Sequence, residues 1–124
     1  MRIKGVGIDL VEFEEIRKHL NTAFIERILS DDELKVYHAF HSDKRKLEYL
    51  AGRFAVKEAY TKAYGRFETP LSFKDVSVLS DANGQPSIQS TYRPEDICLV
   101  SLSHSPHYVV AVCQVIQTEC DGLE

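Results

Sequence analysis

The chain has 124 residues, 44% of them hydrophobic and 27% charged, with a formal net charge of −4. That balance fits one soluble domain with a modest core, and the acidic total argues against nucleic-acid binding. No apolar run approaches the roughly 20 residues of a membrane helix, and charges at Arg2, Lys4, Asp9 and Glu12 interrupt the N-terminus, unlike a signal peptide.

No repeat, low-complexity tract or linker divides the sequence, so residues 1–124 are expected to form a single domain. Ile3 to Val11 reads as a strand, with Ile8 and Leu10 on one side and Gly7, Asp9 and Val11 on the other. Aspartate is depleted in strands, and burying it without a partner is costly. Alternation alone leaves two roles open for Asp9: capping the segment after the strand, or belonging to a site. Glu12 to Leu20 reads as a first helix, with Phe13, Ile16 and Leu20 at helical spacing. Asn21 and Thr22 break it. Ala23 to Leu29 is a short helical turn with Phe24, Ile25 and Ile28 turned inward. Ser30 with Glu33 three residues later forms a capping box for a helix reaching about Phe40, with Leu34 and Tyr37 packing.

The longest helix is expected from Lys44 to Gly65, opened by Ser42 or Asp43 and closed by Gly65. Leu47, Leu50, Ala51 and Phe54 form one apolar stripe, and Glu58 and Lys62 continue it. Tyr49, Val56, Tyr60 and Ala63 form a second. Glu58 and Lys62 are spaced as an i, i+4 pair, worth about 0.2–0.5 kcal/mol on an exposed helix. Alternatively, Glu58 holds a metal and Lys62 faces an anion. Between Lys44 and Lys62, six basic residues (Lys44, Arg45, Lys46, Arg53, Lys57, Lys62) face two acidic ones, which is +4 and leaves −8 for the rest. A positive patch on an acidic protein fits a small polyanion.

Past Gly65 the chain changes character. Arg66 to Leu71 is a loop, and Phe73 to Leu79 is extended with Val76 and Val78 on one face. Asp81 to Pro86 is a turn around Asn83-Gly84. Ser87 to Thr91 is a short strand. Ile97 to Ser103 and Tyr108 to Ile116 are paired strands around the loop His104 to His107. The outcome is an α+β domain, one strand and then helices followed by an antiparallel meander, with the long helix packed on the sheet. Cys98, Cys113 and Cys120 lack disulfide or zinc spacing and read as small core residues in a reducing compartment.

Asp9, Glu58, Lys62 and His104 can converge in such a fold. Two carboxylates without a histidine or cysteine cluster suit a hard cation such as Mg2+, bridged to substrate phosphates. A site of that kind performs phosphoryl-type transfer by positioning and charge neutralisation.

These residues lie in motifs that resemble the holo-acyl-carrier-protein synthases, which are 4′-phosphopantetheinyl transferases. The motifs are GIDLVE at Gly7 to Glu12, FIERILS at Phe24 to Ser30 and LAGRFAVKEAYTKAYG at Leu50 to Gly65. LSFKDVSV at Leu71 to Val78, NGQP at Asn83 to Pro86 and SLSHSPHYVVAV at Ser101 to Val112 complete the set. The resemblance implies transfer of phosphopantetheine from coenzyme A to a serine of apo acyl carrier protein, with release of adenosine 3′,5′-bisphosphate, in fatty acid biosynthesis in the cytoplasm. It implies that Asp9 and Glu58 hold Mg2+, that Lys62 lies near the pyrophosphate, and that Glu58 or a water it polarises takes the serine proton. His104 and Ser105 match a segment near the coenzyme A phosphates, Gly84 and Pro86 one near its adenine, and Arg53 a further coenzyme A contact. Members of this length resemble homotrimers with coenzyme A between subunits. Two departures stand out. Where the family has a glycine-rich stretch, this chain has Arg66-Phe67-Glu68-Thr69-Pro70. Its first helix carries Glu12, Glu14 and Glu15 against Arg17 and Lys18, which weakens steering toward an acidic carrier. The same carboxylates also suit a Mg-dependent nucleotide-diphosphate hydrolase, and the same fold an inactive coenzyme A-binding module.

Overall fold

The computed structural model describes residues 1–118. Its elements run β1 (Arg2–Glu12), α1 (Phe13–Lys18), α2 (Thr22–Ile28), α3 (Asp31–Ala39), α4 (Asp43–Tyr64), β2 (Ser77–Ser80), β3 (Pro86–Gln89), β4 (Ile97–His104) and β5 (Tyr108–Gln117). β1, β5 and β4 form an antiparallel sheet in that order, and α4 lies across one face of it. The α+β expectation holds, and β1 joins the C-terminal strands.

Local chemistry sets the helix ends. The Ser42 hydroxyl accepts the Arg45 N–H at 3.2 Å, and Gly65 ends α4 with φ of 80°, a conformation that favours glycine. The capping box of α3 forms: Ser30 N–H donates to Glu33 Oε1 at 2.9 Å, and Glu33 N–H to Ser30 Oγ at 3.3 Å. Asn21 caps α2 by accepting the Phe24 N–H at 2.8 Å. The first helix is shorter than expected, and Leu20 lies outside it and is exposed.

The core is built where α4 meets the sheet. Leu50, Ala51, Ala55, Val56, Ala59 and Ala63 face Val11, Val100, Val109, Ala111, Cys113 and Val115. Burying a side chain such as Leu50 contributes about 1.5–3 kcal/mol. Two glycines of β1 set the spacing. A Cβ on Gly7 would stand 1.9 Å from the Ala59 carbonyl oxygen, and one on Gly5 would stand 1.9 Å from that of Ala63. Only hydrogen fits there. Cys98 and Cys113 are free thiols packed in or against this core, and Cys120 lies outside the described residues.

The expected single meander divides in two. Phe73–Asp75 is a 3-10 turn, so the strand begins only at Ser77. β2 and β3 pair with each other around Gly84, whose φ is 81°. The Asp81 carboxylate stiffens that turn by accepting the N–H groups of Asn83 and Gln85 at 2.8 and 2.9 Å. The hairpin touches the main sheet through Gln85 Nε2, which donates to the Val100 carbonyl at 3.4 Å. The departing loop after α4 is anchored by its bulk. Phe67 packs against Tyr60, Tyr64 and Tyr92, with ring centroids 5.6, 5.7 and 4.8 Å away.

Asp96 joins the start of β4 to the rest. Its Oδ2 accepts Tyr64 Oη–H at 2.7 Å and Lys4 Nζ–H at 3.0 Å, and its side chain is 1% exposed. Burial pushes its carboxyl up, but the hydrogen bonds from Tyr64 and Lys4 outweigh it, and the pKa lies below the usual 3.8. A carboxyl lowered on folding stabilises the protein above its unfolded pKa and stops doing so as pH falls through its folded one. Asp96→Asn should therefore lower stability at neutral pH and flatten the loss of stability below about pH 4. Urea unfolding from pH 2 to 7 checks this, and parallel wild-type and variant profiles would contradict it.

Candidate active site

β1 and α4 bring the first constellation together. Strand alternation turns Gly7, Asp9 and Val11 toward α4 and leaves Ile8 and Leu10 outside. Because the two glycines let α4 approach closely, Asp9 meets the residues flanking Ala59 and Ala63. Lys62 Nζ donates to Asp9 Oδ1 at 2.9 Å and to the Ile8 carbonyl at 3.1 Å. The i, i+4 pairing of Lys62 with Glu58 does not form; Lys62 reaches across to the strand instead. The hydrogen bond and charge of Asp9 raise the Lys62 pKa, so it stays cationic at neutral pH.

Among the described residues, no hydrogen-bond or ion-pair partner meets the Glu58 carboxylate. Burial and then the Asp9 charge raise its pKa, with Lys62 opposing. Asp9, Glu58 and Lys62 line one open cleft of about 600 Å³, with Ile16, Phe24 and Phe54 among its apolar lining. This is an acidic pair with a fixed ammonium beside it. The donors are hard oxygens, one of them is unpartnered, and a divalent cation would relieve their repulsion, so they fit Mg2+.

The other expected residues divide between two places. Arg53, Gly84 and Pro86 line a second cleft of about 260 Å³ with Ser80 and Ser101. Arg53 Nε donates to the Val78 carbonyl at 3.1 Å, and its guanidinium lies 4.2 Å from the Tyr49 ring centre. His104 and Ser105 occupy the exposed end of the β4–β5 hairpin. Register sets Leu102 opposite Ala111 and Ala111 opposite Asp9, so His104 lies on the Asp9 face of the sheet, two residues further along β4. Its ring meets Phe13 edge-on at 6.2 Å. The Ser105 hydroxyl is engaged in the turn, accepting the N–H groups of His107 and Tyr108 at 3.3 and 3.2 Å.

One member of the expected basic patch is not on the surface. Lys57 is fully buried, and its ammonium donates to Glu33 Oε1 at 2.5 Å. Burial lowers its pKa, and the Glu33 charge opposes this. Its position three residues after Phe54 and seven after Leu50, on their stripe, was the signal for burial. The basic residues of α1 are engaged as well. Arg17 pairs with Glu14, and Lys18 with Glu15 at 3.1 Å. No helix among the described residues is long and apolar enough to cross a membrane.

Comparison with known proteins identifies the family. Residues 5–113 match the model of the 4′-phosphopantetheinyl transferase superfamily. The holo-[acyl-carrier-protein] synthase of Anoxybacillus flavithermus is 46% identical over 112 residues, covering 88% of this chain and 92% of the relative. That of Staphylococcus haemolyticus is 40% identical over 123 residues, covering 96% and 99%. Among solved structures, the Bacillus anthracis holo-(acyl-carrier-protein) synthase, in complex with CoA (3′,5′-ADP), superposes with a TM-score of 0.86 at 38% identity, covering 95% of this chain and all of that one. The chain therefore belongs to the 4′-phosphopantetheinyl transferase superfamily and, within it, to the holo-acyl-carrier-protein synthases.

Proposed function

We propose that this chain transfers 4′-phosphopantetheine from coenzyme A to a serine of an apo acyl carrier protein and releases adenosine 3′,5′-bisphosphate. The convergence of Asp9, Glu58 and Lys62 on one cleft carries the reading. The coenzyme A complex of the Bacillus anthracis relative supports the donor. Asp9 and Glu58 would hold Mg2+, which when bound neutralises the diphosphate charge and polarises the phosphoryl oxygens. Lys62, held by Asp9 and the Ile8 carbonyl, faces the leaving bisphosphate and stabilises its charge. Glu58, whose pKa is raised by burial and by Asp9, takes the proton of the attacking serine hydroxyl directly or through a water. The serine oxygen forms its bond to phosphorus as the bond to the bisphosphate breaks. His104 and Ser105 are assigned to the coenzyme A phosphates, Gly84 and Pro86 to its adenine, and Arg53 to its anionic end.

A homotrimer completes the reading. The sheet face away from α4 exposes Val6, Ile8, Leu10, Leu99 and Val112, and Ile8 lies opposite Val112 across β1 and β5. An apolar face of this kind supports burial against further copies. The division of the site between two clefts of one chain supports a donor site shared between copies. Ile8→Glu should leave the chain folded but monomeric by light scattering, whereas the wild type should have three times the chain mass. A trimeric variant, or a monomeric wild type, would contradict this. For the reaction, the test is release of adenosine 3′,5′-bisphosphate from coenzyme A. Release that requires an apo carrier supports transfer, and release without carrier makes the chain a hydrolase.

A further inference from the structure

Among the described residues, Glu33 and Lys57 are the two charged side chains with no exposure. Neither lines the cleft of Asp9 and Glu58. A buried pair adds little net stability, because desolvating two charges offsets their attraction. The groups this pair holds in place are more telling. Lys57 Nζ donates to Glu33 Oε1 at 2.5 Å, to the Ile28 carbonyl at 2.8 Å and to the Phe73 carbonyl at 2.9 Å. The other carboxylate oxygen, Glu33 Oε2, accepts the Val78 N–H at 2.6 Å. The carbonyl of that same Val78 accepts Arg53 Nε–H at 3.1 Å. Arg53 precedes Lys57 by one turn of α4, so a ring closes through Lys57, Glu33, Val78 and Arg53. The ring holds β2 against the helix. It also presents the guanidinium to the cleft of Gly84 and Pro86, where Tyr49 backs it and Ser80 Oγ lies 3.4 Å away.

Resting on the assignment of Arg53 to coenzyme A, we propose that Glu33 is a positioning residue for the donor, acting through the Val78 peptide on Arg53 and the β2–β3 turn. Glu33 itself does not meet substrate. Its effect should therefore fall on coenzyme A binding and spare the chemistry at Glu58, which lies in the other cleft. An amide at this position offers one oxygen where the carboxylate offers two, placed on opposite partners. In Glu33→Gln the single oxygen stays with the Lys57 ammonium, the stronger donor, and the Val78 N–H loses its acceptor.

The experiment is steady-state kinetics of wild type, Glu33→Gln, Arg53→Gln and the double variant, with coenzyme A affinity measured by calorimetry. Glu33→Gln should raise KM for coenzyme A about tenfold and leave kcat within about twofold, the signature of lost ground-state binding. Arg53→Gln should raise it at least as much, and the double variant should match Arg53→Gln alone because the two act as one unit. An unchanged KM, additive effects, or a loss confined to kcat would overturn the proposal. If Glu33→Gln does not fold with the Lys57 charge left uncompensated, the combined Glu33→Leu and Lys57→Met variant removes both buried charges at similar volume. It carries the same expectation, and a wild-type KM there overturns the proposal too. Wild-type protein that binds no coenzyme A overturns the donor assignment itself, whereas normal wild-type binding with an unaffected Glu33→Gln overturns only the role of Glu33.

Discussion

Glu58→Gln is expected to abolish carrier modification while leaving the fold intact. The amide cannot accept a proton from the serine, and it is a poorer ligand for a hard cation than a carboxylate. Loss of a general base alone costs about 10²–10⁴ in rate, and loss of a metal ligand adds to that. The fold should survive because no hydrogen bond or ion pair depends on this carboxylate among the described residues. Stability should even rise slightly. A carboxyl with a folded pKa above its ordinary 4.5 loses native stability as pH rises through that interval. At neutral pH the wild type carries the cost of a half-buried charge beside Asp9, and the glutamine does not. Activity and stability thus move in opposite directions, as at other sites where function requires an unfavourable charge. Carrier modification rates and a thermal melt on the same preparation check both halves. A variant with near-normal rates would show that Glu58 is neither base nor metal ligand.

Gly7→Ala should be the most damaging conservative change in β1. The added Cβ would stand 1.9 Å from the Ala59 carbonyl oxygen and 2.7 Å from the Ala63 nitrogen. Both are backbone atoms of α4 that cannot rotate away, so strand and helix must separate. Overpacking commonly costs about 1–3 kcal/mol, and rigid backbone places this site at the upper end. The expected fall in midpoint is roughly 10 °C for a chain of this size. The displacement also reaches the site, because Asp9 is two residues along β1 and Glu58 adjoins Ala59. Gly52→Ala is the control. It lies in α4 itself with nothing within 4 Å of its added Cβ, and should gain up to about 1 kcal/mol from helix propensity. Differential scanning calorimetry of the two variants decides the matter. Equal midpoints would mean that the β1–α4 contact is looser than described.

The reach of sequence reasoning tracks the range of the forces involved. Elements fixed by nearest neighbours were legible: the α3 capping box, the Ser42 and Gly65 ends of α4, and the turn at Gly84. Alternation in β1 put Asp9 on one side with Gly7 and Val11 but left its role open; the structure turns that side toward α4. Lys57 was counted with the basic patch although it lies on the stripe of Leu50 and Phe54, because the carboxylate that pairs with it lies 24 residues earlier and was already explained by the capping box. A single meander was expected because the extended segments after Gly65 follow one another along the chain. Between β3 and β4 the chain passes through Arg93, whose φ of 45° is a turn conformation that no glycine announces. The pairing of Lys62 with Asp9 in place of Glu58 depends on how closely α4 approaches β1, a distance that two glycines set and no periodicity reveals.

The most direct measurement is the intact mass of an apo acyl carrier protein after incubation with this chain and coenzyme A, with Mg2+ and with a chelator. The expected result is a gain of one phosphopantetheine with Mg2+ and no gain with the chelator. No gain across several carriers, with the wild-type chain folded and coenzyme A in excess, would contradict the transferase reading. A gain that persisted in the chelator would contradict the metal role of Asp9 and Glu58.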